Sequence, residues 1–400
     1  MKKSIDFSIF LSEEYDSVSG VLNGLLGQSG VSCQLQVLRW EEEWGSIMKW
    51  ALYKDSPDLS QVGEPLVGDL ICMNALRPFT TQEIKKMGEE DAFHPVVWVS
   101  ATRTSAQQVW AIPFFCDTYF IMYWQDMLQN AGVDEKTAFQ TAEQVENTLH
   151  RLQSKGSATP LVHATNDGLN ELKHAASWVW GKNGNFISLN QKKTAFNNSE
   201  ARAGWKAYFS LYHYMPQTRR LENAADTQKL FADRQTAVIL SNSMGLIYNI
   251  LQHATPEIAS QLGVSLPPGP PLVGSSDLVV WNTTYSPADA VDVICFLTSP
   301  SVQAEFCKAM RVLPARKGVL SLPAFADFPF IGVFEKALQT GHSFTTLFQG
   351  GMLENQLSTA MLNIWKELVE SPNQDLDALL SCILDPMARR TDNILEEFQK

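Results

Sequence analysis

Apolar and polar residues alternate through IDFSIFL at 5–11 and CQLQVL at 33–38, and both stretches read as short strands. Between them, from about Asp16 to Gly27, the spacing turns helical. A second helix is expected from Glu42 to Tyr53, stopping at SPD, where Pro57 forbids continuation. LSQVG and a helical segment around Pro65 to Met73 follow. This β-α-β-α-β alternation predicts a parallel sheet covered by helices. VVWVSATRTSAQQVWAIP at 96–113 reads as two more strands with a turn, and 119–154 as mainly helical, punctuated by AGVD at 131–134.

Further along, PLVHA at 160–164 predicts a strand and GLNELKHAASWVWGKN a helix ending near Gly181. A helical region surrounds 199–213, and FADRQTAVILSNSMGLIYNIL reads as strand, turn and helix. In LPPGPPLVGSSDLVVWN, Pro267, Pro268, Pro270 and Pro271 stiffen a linker that then becomes a strand. Helices are expected at 287–298 and 300–310, and two amphipathic ones from Leu353 onward, broken at SPNQD. No internal repeat or low-complexity tract is visible.

Four hundred residues exceed what one core usually organises, so two domains are expected. A formal net charge of −12 argues against nucleic acid, whose phosphates need clustered Lys and Arg, and fits a self-repelling monomer. The six cysteines, Cys33, Cys72, Cys116, Cys295, Cys307 and Cys382, form no CxxC and several sit in apolar runs, so buried free thiols are expected. MKKSIDFSIF reads as neither signal peptide nor lipid-anchor site, and no 18-residue apolar stretch suggests a membrane span.

Enzyme signals are weak. GQSGV at 27–31 lacks the GxSxG spacing and precedes a strand instead of following it. His163 and His174 are eleven apart with no further ligand spacing, and read as core or surface histidines, not metal ligands. No Walker loop or dinucleotide glycine pattern occurs, and no cofactor is expected. Paired carboxylates for glycoside hydrolysis keep a carbohydrate-active enzyme as a remote alternative.

Five stretches in order are similar to the extracellular solute-binding proteins of ABC importers, sugar-binding type: KWALYKDSPDLSQVGEPLVGDLICMNALRPF; AIPFFCDTYFIMYWQDMLQNAGVDE; FADRQTAVILSNSMG; VGSSDLVVW; and DAVDVICFLTSPSVQAEFCKAMRVLPARKGV. The sequence departs from the family where Arg234 replaces a glycine, where Gly274 stands alone between Val273 and Ser275 in place of paired glycines, and where Ala138 and Phe139 stand near an expected aromatic. The resemblance implies a two-lobed α/β fold of the periplasmic-binding-protein type II. Each lobe is then a mainly parallel sheet flanked by helices, joined by crossing hinge strands, with ligand in the cleft between. One lobe is expected from 1–113 plus about 277–320, the other from 114–276 plus about 321–400, with the final helices packing across both. It implies a monomeric receptor that closes on a mono- or oligosaccharide for delivery to a permease, extracytoplasmic if an export signal has been removed. A cytoplasmic ligand-sensing module, coupled to a regulatory partner without transport, is the alternative that the thiols and the start MKKSIDFSIF favour.

Candidate ligand groups lie where loops meet the cleft of such a fold. They are Ser12, Glu13 and Glu14 after the first strand, Trp40 and Glu42 after the second, and Gly63 and Glu64 after the third. The first crossing supplies Phe115 and Asp117. Trp178, Trp180, Asn242, Ser243 and Met244 come from the second lobe, with Gly274, Ser275 and Ser276 at the next crossing and Arg316 after LPA. Trp178 and Trp180 cannot share one helix face, so one is core and either could be the ligand platform. Trp44 reads as core, Trp124 as structural, and Glu41, Glu42 and Glu43 as a solvated helix start. No metal ligand or catalytic residue is assigned.

Overall fold

Among the described residues ten strands run in chain order: β1 (Ile5–Leu11), β2 (Cys33–Arg39), β3 (Leu59–Gly63), β4 (Ala111–Thr118), β5 (Phe120–Trp124), β6 (Leu161–Val162), β7 (Val238–Ser241), β8 (Leu262–Ser265), β9 (Val273–Val280) and β10 (Leu313–Pro314). They belong to a computed structural model that describes residues 4–11, 15–102, 108–188, 193–344 and 350–397. The chain divides into two α/β units: 1–117, 273–339 and 343–351 form the first; 118–272, 340–342 and 352–400 form the second. Residues 321–339, expected in the second unit, belong to the first.

The first unit is built on a six-stranded sheet in the order β10-β4-β9-β3-β1-β2. β1 lies parallel to β2 and β3, with Ile5 opposite Cys33 and Phe7 opposite Leu59. Six of its seven residues are buried, because a central parallel strand is covered on both faces. β2, at the edge, keeps the half-buried alternation visible in its sequence. Helices α1 (Tyr15–Leu26), α2 (Glu43–Tyr53) and α3 (Glu64–Cys72) follow the strands, as their periodicity predicts. Ile47 of α2 and Val67 and Leu70 of α3 pack on Phe10, Val62 and Val279.

The second unit carries a four-stranded sheet, β6-β7-β5-β8. β5 is antiparallel to both β7 and β8, and β6 is parallel to β7. With β9 and β10 also antiparallel to their neighbours in the first unit, both sheets are mixed, not mainly parallel. Helices Gly168–Gly181 and Ser199–Phe209 of this unit pack closely on each other. A Cβ on Gly204 would lie 2.4 Å from the Val179 Cα, so only glycine allows that approach.

Two segments differ from the sequence reading. Pro95–Thr102 is a helix, not a strand, and Phe120–Trp124 is a strand, not a helix. Both are short continuous apolar runs without alternation, a pattern shared by buried strands and buried helices. FIMYW is buried throughout between β7 and β8, and that setting decides its state. β8 was not foreseen; LGVS is only four residues long.

Candidate functional site

Because β1, β2 and β3 are parallel, their C-terminal ends share one edge of the first sheet. β3 stops at Gly63 and turns directly into α3, with Pro65 in its first turn. No side chain caps this helix start. The Gly63 N–H donates to Glu43 Oε1 at 2.7 Å, and a Cβ here would stand 3.4 Å from the same oxygen. Glu64 follows, buried, in a first turn whose N–H groups favour a carboxylate.

Across from Gly63, Ser276 opens the paired part of β9. Gln61 joins three strands here: its Nε2 donates to Ser276 Oγ at 3.1 Å and its Oε1 accepts the Phe10 N–H at 2.9 Å. Ser275 donates to Asp277, which is fully buried; burial pushes its carboxyl up to about 7, partly opposed by the serine bond. A Cβ on Gly274 would meet Asp117 Oδ1 at 2.5 Å, so the lone glycine makes room for that half-buried carboxylate at the end of β4. Gly63, Glu64, Asp117, Gly274, Ser275 and Ser276 are thus placed around neighbouring strand ends of one unit. Trp40 and Glu42 form the helical turn that leaves β2; Glu42 accepts the Arg39 N–H at 3.3 Å and Trp40 is 39% exposed. Trp44, expected in the core, is 53% exposed.

Two expected residues of this unit stand elsewhere. Phe115 is buried against Phe114 and Phe306 and opposes Pro314, so it belongs to the core. Arg316 is a structural clamp: its guanidinium donates to the Thr298 carbonyl at 3.0 Å and lies over the Phe93 ring at 5.2 Å. Its own N–H donates to Gln303 Oε1 at 2.9 Å. Ser12, Glu13 and Glu14 lie outside the described residues.

In the second unit, β7 ends opposite the start of β5, with Ser241 facing Phe120. Asn242 and Ser243 follow, half-buried, and the Ser243 hydroxyl caps the helix Met244–His253 by accepting the Leu246 N–H at 3.1 Å. Met244 is buried and packs inward. Asn242 Nδ2 donates to Asn170 Oδ1 at 3.4 Å, and the Tyr119 hydroxyl donates to the same oxygen at 2.9 Å. Asp167 caps the helix Gly168–Gly181 through the N–H groups of Leu169 and Asn170, which fixes Asn170 at this edge. Sequence reasoning missed Tyr119 and Asn170; the ND-G step before an apolar run was the available signal.

Of the two alternating tryptophans, Trp178 is core, 2% exposed, with its ring edge on Tyr208. Trp180 is half-buried against Phe186 and His342. Deeper in lies a sealed polar cluster. His163 Nε2 is 2.6 Å from Glu171 Oε1 and 2.7 Å from the Tyr208 hydroxyl, which donates to Glu171 Oε2 at 2.8 Å. His174 stacks edge-on against His163, and burial, then the charge of His163, holds it well below the ordinary histidine range.

The sequence profile of the bacterial extracellular solute-binding proteins matches residues 28–330. The chain belongs to that family. Its structure is similar to the sugar-binding protein MalE from the phytopathogen Xanthomonas citri, with a TM-score of 0.83 and 18% identity over 99% of this chain and 98% of that one. The GacH receptor of Streptomyces glaucescens gives 0.77 and 17%, covering 97% and 98%. A solute-binding protein from Thermotoga lettingae gives 0.77 and 16%, covering 98% and 100%. No curated protein matches in sequence. The fold is therefore the two-lobed α/β type expected, and the protein binds a solute instead of transforming one. The family is extracytoplasmic, and among the described residues no helix is long and apolar enough to cross a membrane.

One departure of this binding protein from its family pattern now has a physical account. Arg234, where the family has glycine, sits at φ +58°. Its guanidinium lies 4.5 Å from the Trp124 ring and pairs with Asp126, which offsets the cost of a left-handed backbone on a residue with a Cβ.

Proposed function

We propose that this binding protein captures a neutral mono- or oligosaccharide and delivers it to the permease of an ABC importer, acting as a monomer outside the cytoplasm. The observation that carries the reading is the chemistry of the first unit's strand-end edge. Carboxylates Glu42, Glu64 and Asp117, hydroxyls Ser275 and Ser276 and an exposed indole, Trp40, lie at strand ends along this edge, spread from β4 across to β2. Carboxylates accept hydrogen bonds from sugar hydroxyls and repel anions, while an indole face takes the C–H side of a pyranose. In the second unit, Asn242, Ser243 and the half-buried Trp180 offer the same kinds of group, polar acceptors and an indole. Neighbours of the same fold support the class of ligand: one is maltose-bound, one was solved with acarbose, and others hold tagatose and D-mannitol.

The test is a thermal-shift panel of maltose, mannitol, tagatose, amino acids and phosphate. A melting rise with sugars or polyols is expected; a rise only with amino acids or phosphate defeats the reading. Glu64→Gln should weaken the bound sugar roughly tenfold, the loss of one charge-assisted contact, with the unliganded melting point nearly unchanged. An equal loss of stability reassigns Glu64 to structure.

A further inference from the structure

We propose that Asp277 is a positioning residue for solute binding: its proton sets whether the Ser275 hydroxyl donates to the solute or only accepts from it. This deepens the sugar reading above and rests on it.

β9 runs antiparallel to β3, with Val62 opposite Asp277 and Gly63 opposite Ser276 as the last pair. Ser275 stands one step further along, where β3 has ended and α3 begins. Val62 and Val279 pack with Val67 and Leu70 of α3, so by two-residue alternation Asp277 and Ser275 share that apolar face. Ser275 is the nearer of the two to the strand-end edge and keeps 7% exposure; Asp277 keeps none. Ser275 is bonded to Asp277 Oδ1, whereas Oδ2 is buried with no hydrogen-bond partner among the described residues. An ionised carboxylate with one oxygen left empty in an apolar setting is costly. The elements packed closely on β9 bring no compensating charge. β3 and the helix Pro95–Thr102 carry no titratable side chain, and β4 carries Cys116 and Asp117. α3 carries Glu64, Asp69 and Cys72, and the helix Pro287–Leu297 carries Asp289, Asp292 and Cys295. No Lys, Arg or His stands among them, and burial pushes the Asp277 carboxyl up to about 7 against the Ser275 bond.

One hydrogen bond joins the pair, and its direction follows the proton. Ionised, Asp277 takes the Ser275 proton, and the hydroxyl offers only lone pairs to a solute. Protonated, Asp277 donates to Ser275 Oγ, which releases the serine proton to point towards the edge. Donors are scarce there. Glu64 and Asp117 are acceptors, the Gly63 N–H is held by Glu43, and Arg316 is clamped on the Thr298 carbonyl. A sugar presents ring and hydroxyl oxygens as well as hydroxyl protons, so a donor at Ser275 complements this acid-rich edge. The proton on Asp277 therefore tightens binding, and by linkage the bound solute holds that proton more firmly.

Titration calorimetry with maltose, tagatose and D-mannitol between about pH 6 and about pH 8.5 tests this on the wild type, Asp277→Asn, Ser275→Ala and Asp117→Asn. Wild-type affinity for a bound sugar should fall about fivefold as pH rises through about 7, the loss of one neutral hydrogen bond. Runs in two buffers of different ionisation enthalpy should show net proton uptake on binding near neutral pH. Asp277→Asn, whose amide donates to Ser275 at every pH, should bind more tightly than the wild type at the alkaline end, without slope or uptake. Ser275→Ala should be weak and flat, and Asp117→Asn, weaker throughout, should keep the slope. A flat wild type overturns the proposal. So does a slope that survives in Asp277→Asn or Ser275→Ala, or one that vanishes in Asp117→Asn. If no sugar binds the wild type at any pH, the sugar reading itself falls, and this inference with it.

Discussion

The aromatic cluster of the second unit and the end of β2 in the first unit treat their tryptophans in opposite ways, although Trp98 and Trp281 of the first unit are buried as well. In the second, Trp178, Trp205 and Trp365 are all nearly or fully inaccessible and meet Tyr208 or Phe209 edge-on or stacked around the His163–Glu171 pair. In the first, Trp40 and Trp44 stand open at the end of β2. Sequence reading put Trp40 among the ligand groups, took Trp44 as core, and left one of Trp178 and Trp180 as core with either as the platform. An abundance of aromatic residues therefore does not mark a ligand site. What decides is whether the helix turn that carries the ring still has sheet or helix beneath it.

If the second unit's aromatic cluster is a true core, breaking it should give the largest effects in the molecule. Trp178→Ala should cost about 3–5 kcal/mol through lost burial and the cavity left behind. Glu171→Ala should cost a similar amount, because it strands the His163 imidazole and the Tyr208 hydroxyl without their acceptor. Denaturant unfolding checks both. A loss under about 1 kcal/mol for either would mean that the cluster is loosely packed and the contrast between the units false.

The first unit has its own buried polar group, and it titrates in the opposite sense from His174. Asp277 is raised to about 7 from an ordinary 3.8, so the folded protein holds its proton between those values when the unfolded chain does not. Its stabilising contribution is complete below about pH 4, falls as pH rises, and is gone above about pH 7. His174 is depressed, so its contribution is lost as pH falls below the ordinary 6.5. Asp277→Asn removes only the first slope. Measured against the wild type, the variant should gain about 2–4 kcal/mol in relative stability between pH 4 and pH 8. A pH-independent difference would place the Asp277 carboxyl in water.

Much of the fold was legible because its signals are local. β1, β2 and the helices after them announce themselves through periodicity, and the order of five family stretches carried the architecture. The failures have a common cause. VVWVSAT and FIMYW are apolar without a period, so only tertiary packing chooses their state. The Glu171–Tyr208 contact joins residues 37 apart, beyond any local pattern. At the candidate site, Gly63, Glu64 and Ser276 were readable as strand ends, whereas Tyr119 and Asn170 become visible only once Asn242 is placed beside them. Arg234 is intermediate: the missing glycine was visible, but not the Trp124 ring and Asp126 carboxylate that make arginine tolerable there. Arg234→Ala, which keeps the backbone strain and loses both partners, should cost about 1–2 kcal/mol. Arg234→Gly should stay within about 1 kcal/mol of the wild type, since strain relief offsets the lost contacts. Equal costs for the two would show that φ at this position matters little.

The smallest expected effect is the sharpest test of the opening contrast. Trp44→Ala should change unfolding free energy by no more than about 0.5 kcal/mol, although the same substitution at Trp178 removes several. Both are tryptophans on helices that follow sheet strands, and both stand on faces that sequence spacing can read as inward. They differ in what lies beneath. Trp178 has Tyr208 against it and the helix Ser199–Phe209 closed over it through Gly204, whereas Trp44 has half of its surface in water. Truncation at Trp44 therefore leaves no cavity and forfeits only the contacts of the covered half. A loss above about 2 kcal/mol would mean that the indole is packed in solution. The distinction between the two regions would then reduce to a difference in depth.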